Sequence, residues 1–362
     1  MRPLIVDLGR DYRGGQHQAL LLLQGLLARG HAPELVTIRD SLLAQRARRA
    51  GARVHVAGKR WRRFSAPFLI RKLLSQPGIE IVHANEPHAL TAAWLARAHR
   101  GIPVIVSRRV IFPLSRGAIS LARYRHAARI VAVSQCVASA VVASGLPRDN
   151  ISVIADGVPV PQALTAAERT SARRSLGIES GVPLIGCVAA LTPDKGQDIL
   201  IRALPAIRAQ TPNCRLLLVG DGPCRAQLAA IAQELHVDEA VQFTGFVEDI
   251  DRIYAALDLF AFPARAEALG SALLSAMAHA LPIVALARGG IPEVVENEKT
   301  GLLIKNPDSQ EAAAAITRLL LNAAEGKRMG EAARAVVSAR FSVDHMVDAA
   351  LKLYQEMVTG DW

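Results

Sequence analysis

Residue types and spacing speak most directly of chemistry between Glu267 and Met277 of this 362-residue chain. An apolar run, Leu259–Phe262, and a Pro263 turn lead to Glu267, then to Gly270-Ser271, then to an alanine-rich helical pattern. A helix opened by Gly270 and Ser271 offers free N–H groups that can hold a phosphate, with Glu267 just ahead of them. The competing reading is an ordinary acid at a helix start, but strand, turn, acid, glycine and helix together are more specific than any one of them. Lys195-Gly196 follows the run Leu184–Val188 and precedes a helical pattern, where a lysine can pair with a diphosphate or simply be solvated.

Weaker candidates share this placement. Gly14-Gly15 lies ahead of the helical pattern Gln18–Ala28 and reads either as a plain turn or as an oxyanion approach at a helix start. It is not a dinucleotide fingerprint, because no acid ends the second strand. Gly220, after Leu216–Val219, is a βα corner or a point where a ligand nears the backbone. Arg108-Arg109 ends a strand and suits a diphosphate or an anionic acceptor. His83 ends another, where a structural and a catalytic role are both open. Asp249 and Asp251 resemble a carboxylate pair for a metal, but their place before a helix favours capping.

Short β-branched runs alternate with helical patterns, which means βαβ units and parallel sheets. The runs Leu4–Leu8, Glu34–Ile38, Arg53–Ala57, Ile79–His83, Val104–Ser107, Ile130–Val133 and Ile151–Ile154 form a first series. After the polar stretch Pro159–Ser175 a second series begins at Leu184 and ends near Ile304. The expected domains are 1–163 and 164–340, with 341–362 as a C-terminal helix. Ligands of such sheets bind beyond the carboxyl ends of the strands, where the candidates above lie.

Residues 1–165 carry 24 Lys and Arg against 8 Asp and Glu, a net +16; the remainder carries 19 against 24, a net −5. That asymmetry predicts an anionic partner for the first domain. Within it, Lys59-Arg60-Trp61-Arg62-Arg63-Phe64 interleaves cations with aromatics, as a membrane-surface segment does. Nucleic acid and a solvated face are the alternatives, and no nucleic-acid recognition motif accompanies the cluster. Cys136, Cys187, Cys214 and Cys224 form no metal-ligand spacing and read as thiols of a reducing cytosol. Neither a signal peptide nor a spanning helix is recognisable, so a cytoplasmic location, peripheral on the inner membrane face, is expected.

Taken in order, the motifs resemble those of retaining glycosyltransferases of family 4. They run from Gly14-Gly15 through Val82-His83, Glu86-Pro87-His88, Val131–Ser134 and Asp156-Gly157-Val158 to Lys195-Gly196, Val219–Pro223 and Phe243–Val247. Glu267–Met277, Gly289–Glu293 and Gly301–Leu303 complete the series. The resemblance implies the GT-B fold: two Rossmann-like α/β domains facing across a cleft, with the C-terminal helix crossing back to the first. It implies sugar transfer from a nucleotide-diphosphate donor to a glycan or glycolipid hydroxyl, as in lipopolysaccharide or other envelope synthesis, with no metal or other cofactor. Glu267 matches the acid beside the donor sugar; Gly14, Gly15 and Lys195 match diphosphate positions; Val247 matches a backbone contact to the base; Leu269, Gly270 and Ser271 match the phosphate loop.

This chain departs from the family pattern at three places. Ser275 replaces the second acid, which contacts the donor ribose, and Ala190 replaces an arginine. Arg108-Arg109 replaces a strand-end histidine, and these arginines are expected to restore some of the missing positive charge at the donor. Ser275 and Ala190 also keep open a non-catalytic sugar-nucleotide binding protein. A soluble transferase acting on a small metabolite or storage polymer is the other alternative.

Overall fold

The computed structural model describes residues 1–58, 62–114 and 117–360, which form two compact units. The first comprises Met1–Gly157 and the segment from Val343, and the second Val158–Ser342. The boundary thus falls earlier than residue 163, because Val158 already belongs to the second unit. Its N–H donates to Phe341 O (2.9 Å), and it bridges Ser342 in parallel.

Unit 1 holds a seven-stranded parallel sheet. Its strands are β1 (Pro3–Val6), β2 (Glu34–Ile38), β3 (Arg53–Ala57), β4 (Ile81–Ala84), β5 (Val104–Arg108), β6 (Arg129–Ala132) and β7 (Ile151–Val153). The order is β3-β2-β1-β4-β5-β6-β7. Helices α1 (Gly14–Ala28), α2 (Leu42–Arg49), α3 (Arg62–Leu74), α4 (Pro87–Leu95), α5 (Ala118–Arg125) and α6 (Gln135–Ala143) make the crossovers. The inner strands β1, β2, β4 and β5 are buried along their whole length, whereas edge strands β3 and β7 are only half-buried. Burial on both faces explains their near-continuous apolar runs.

Unit 2 holds a six-stranded parallel sheet, order β10-β9-β8-β11-β12-β13. Its strands are β8 (Leu184–Val188), β9 (Arg215–Val219), β10 (Val241–Gly245), β11 (Leu259–Phe262), β12 (Ile283–Leu286) and β13 (Leu302–Ile304). Its helices are α7 (Ala166–Ser175), α8 (Gln197–Gln210), α9 (Arg225–Glu234), α10 (Ile250–Ala256), α11 (Ser271–Ala278), α12 (Ser309–Leu321) and α13 (Ala323–Arg340). The stretch Pro159–Ser175 was expected to be a polar connection, yet its second half is α7. A reciprocal cap between Thr165 and Glu168 starts that helix. Asp249 caps α10 by accepting from Arg252 N–H, the capping role expected of it.

The last helix, α14 (Val343–Thr359), belongs to unit 1 and packs on α1. Gly25 makes that approach possible: a Cβ there would lie 2.4 Å from Val347 Cγ2. Each sheet reverses its strand order once, between β1 and β4 in unit 1 and between β8 and β11 in unit 2. Such switch points open a crevice at the carboxyl ends of the two strands.

Candidate functional site

The residues with the clearest chemistry meet at the switch point of unit 2. Lys195 closes a single 3-10 turn after β8, and Glu267 lies in the loop after β11. Lys195 Nζ stands 3.0 Å from Glu267 Oε2 and 3.2 Å from Asp194 Oδ2. Burial works against the ammonium, but attraction to Glu267 and then Asp194 more than offsets it, so the lysine pKa is raised. Lys195 is therefore a fixed cation at neutral pH.

Glycine geometry builds the loops around this pair. Gly196 has φ +69°, and a Cβ would lie 2.3 Å from Pro263 O, so the two loops touch backbone to backbone. Gly289 has φ +59°, and a Cβ there would come within 2.0 Å of Glu267 O. The same Glu267 carbonyl accepts from Gly290 N–H at 2.9 Å. Glu267 is thus held at its backbone by the Gly289-Gly290 turn and at its side chain by Lys195 and Ala268 N–H (3.1 Å). Gly270, at φ +95°, opens α11 beside the Glu267 side chain. The first N–H groups of that helix have no intrahelical acceptor and suit an oxyanion.

Leu269 is buried beneath this turn, while Ser271 and Ser275 are half-buried on α11. Val247 is half-buried in the loop after β10. Gly220 has a different role from the expected ligand approach. Its N–H is taken by Gly245 O (2.9 Å), and a Cβ would lie 2.1 Å from Ala189 O. It joins two strand ends. Ala190 is exposed, and its carbonyl accepts from the Gln197 amide (2.9 Å).

At the switch point of unit 1, polar groups are spent on one another. Asp7, fully buried after β1, accepts from Gly9 N–H (2.9 Å), the Gln16 amide (3.0 Å) and Asn85 Nδ2 (2.6 Å). Asn85 also holds Gly15 O at 2.9 Å. Gly14 and Gly15 form the first turn of α1 instead of preceding it, and a Cβ on Gly15 would meet nothing within 4 Å. Glu86 caps α4 and accepts from His88, Ala89 and Leu8 N–H. Burial raises its pKa to about 7 against the pull of those N–H groups, with Asp7 adding to the rise.

The roles expected of His83, Arg108 and Arg109 need correction. His83 is 4% exposed. One ring nitrogen meets Tyr354 Oη of α14 at 2.5 Å and the other Ser107 Oγ at 2.7 Å. Burial, then Arg109, lower its pKa to about 3, so it is a neutral structural tie with no ring atom left for a substrate. Arg109 donates to Asp156 Oδ1 (2.8 Å) and Asn85 Oδ1 (2.7 Å), and buried Arg108 bonds Phe112 O. Neither is the spare cation that the missing arginine called for.

Lys59, Arg60 and Trp61 lie outside the described residues, as do the side chains of Arg62 and Arg63. Phe64 and Phe68, one turn apart on α3, are 72% and 75% exposed. Among the described residues no helix is long and apolar enough to cross a membrane, and no group of three or more His, Cys, Asp or Glu could hold a metal ion.

Reading the sequence missed Arg265, Asp194 and Asp198. Arg265 pairs with Asp198 at 2.8 Å, and its N–H donates to Asp194 O at 2.8 Å. The only sequence signal was their nearness to Glu267 and Lys195.

This architecture is the GT-B fold. The structure of Anabaena Alr3699/HepE in complex with UDP and glucose superposes with a TM-score of 0.85 over 98% of this chain and 99% of that one, at 24% identity. A model of "Glycosyltransferase Family 4" matches residues 12–161, and one of "Glycosyl transferases group 1" matches residues 168–336. The chain belongs to glycosyltransferase family 4.

Among curated relatives, a GDP-mannose-dependent monoacylated alpha-(1-6)-phosphatidylinositol monomannoside mannosyltransferase of Corynebacterium glutamicum is 35% identical over 200 residues. That match spans 53% of this chain and 52% of the relative, about half of each. A D-inositol 3-phosphate glycosyltransferase of Saccharomonospora viridis is 27% identical over 82% of this chain and 75% of its own length.

Proposed function

We propose that this chain is a glycosyltransferase that moves a hexosyl group from a nucleoside-diphosphate sugar to a hydroxyl, with retention of anomeric configuration. The observation that carries this reading is the Lys195–Glu267 pair at the β8/β11 switch point, beside the open N-terminus of α11. As the bond from the anomeric carbon to the diphosphate breaks and one to the acceptor oxygen forms, negative charge gathers on the departing diphosphate, which takes the acceptor's proton, and positive charge gathers on the sugar. Lys195 and the α11 amides stabilise the first by fixed charge and dipoles; Glu267 orients the sugar and stabilises the second. These groups neutralise the leaving group without a metal, so transfer is expected to survive chelation of divalent cations.

The acceptor we favour is a glycan or glycolipid of the cell envelope, reached at the inner face of the cytoplasmic membrane. Support comes from the +16 charge of residues 1–165 and from Phe64 and Phe68 on α3, followed by exposed Arg71 and Lys72. The name of the Corynebacterium relative, whose acceptor is a phosphatidylinositol mannoside, points the same way.

A thermal-shift panel of nucleotide sugars tests the donor: one base and sugar should raise Tm by linkage. A flat response across UDP-, GDP- and ADP-sugars would remove the reading. Flotation with vesicles tests the membrane: binding to anionic but not neutral vesicles is expected, and equal or no binding would contradict it.

A further inference from the structure

Resting on the donor reading above, we infer that Arg265, locked to Asp198, is a positioning residue that sets where Lys195 meets the donor diphosphate. Its guanidinium grips Asp198 with two prongs, Nη1 to Oδ1 at 2.9 Å and Nη2 to Oδ2 at 2.8 Å. The same Nη1 donates to Pro193 O at 3.0 Å, and the Arg265 main-chain N–H donates to Asp194 O at 2.8 Å. One residue of the β11–α11 loop therefore holds both sides of Lys195: the turn that leads into it and the first turn of α8 that follows.

Three features make this a device for geometry. Arg265 lies two residues before Glu267 and Asp198 three after Lys195, so the clamp spans the same two loops as the functional pair. Gly196 fits beneath it, with space only for a hydrogen against Pro263 O, so any slip of the clamp moves Lys195 directly. The clamp's side chains are 37% and 33% exposed, where an ion pair contributes little to stability by itself. Arg265 also balances Asp198, whose bare carboxylate would otherwise oppose an incoming diphosphate.

The test compares the affinity of the full-length protein for nucleoside diphosphate and for the matching monophosphate by calorimetry. UDP/UMP, GDP/GMP and ADP/AMP serve as probes. In the parent, Lys195 gives the diphosphate an advantage. In Arg265→Ala that ratio should fall on the order of tenfold, while the melting temperature stays within a few degrees. Asp198→Ala should lose as much, the double variant no more than either alone, and the exchange Arg265→Asp with Asp198→Arg should recover part of the ratio. An unchanged ratio in Arg265→Ala would overturn the inference. So would a ratio that holds or rises in Asp198→Ala, which would mean that Arg265 touches phosphate itself. A parent that binds none of UDP, GDP and ADP would bring down the donor reading along with it.

Discussion

The two sheets each reverse strand order once, and the two reversals are equipped differently. At the β8/β11 point of unit 2 a lysine and a glutamate face each other, held by loops in which Gly196 and Gly289 leave no room for a Cβ. At the β1/β4 point of unit 1, Asp7, Gln16, Asn85, Arg109 and Asp156 are bonded into one another, and Gly15 beside them is sterically open. Unit 2 is a charged site with a fixed shape. Unit 1 is a rigid polar floor under an open helix start. The same topology thus gives a charged pair in tightly packed loops in one unit and an internally bonded polar network in the other.

The largest expected contrast is in turnover. Lys195→Ala should slow sugar transfer by about 10²–10³-fold, whereas Gly15→Ala should leave it within about tenfold, since the α1 amides remain. Steady-state kinetics with the donor found by thermal shift measures both; equal losses would erase the distinction.

Glycine stability sharpens the same contrast. Gly289→Ala must strain φ +59° and push against Glu267 O, and should cost about 2–4 kcal/mol in urea unfolding. Gly15→Ala has free space and a helical setting, and should be neutral or stabilising by up to about 1 kcal/mol.

A pH effect should follow from Glu86. Its folded pKa of about 7 lies above the ordinary 4.5, so its contribution to stability is complete below pH 4.5 and is lost as pH rises through 7. Between pH 5 and 8 the parent should lose about 2 kcal/mol relative to Glu86→Gln. Parallel stability profiles of the two proteins would show that Glu86 does not carry this proton.

The smallest expected change is in ligand affinity on removal of Arg109, and it separates the units most cleanly. Arg109→Ala should destabilise unit 1 by about 2–3 kcal/mol through the stranded Asp156. Affinity for nucleoside diphosphate should stay within about twofold, because the guanidinium is already committed.

Much of this was legible in the sequence. The seven runs of unit 1 and the series from Leu184 all became strands, because buried parallel strands need unbroken β-branched and leucine-rich segments. The Glu267 segment was legible because its strand, turn and helix are adjacent in the chain. What stayed hidden depends on distant partners. Gly220 is explained by Ala189 O, His83 by Tyr354 at the far end of the chain, and Arg265 by Asp198 across a loop. Helix α7 was hidden for another reason: its mostly exposed, charged face hides the helical period.

Glu267, beside Lys195, is proposed to act on the sugar of a nucleotide donor. Release of nucleoside diphosphate from a panel of nucleotide sugars, by the parent and by Glu267→Ala, tests it most directly. Release from one donor by the parent is expected, with a rate at least about 100-fold lower in the variant and donor affinity changed by less than about tenfold. No release from any donor, or equal rates in the two proteins, would contradict it.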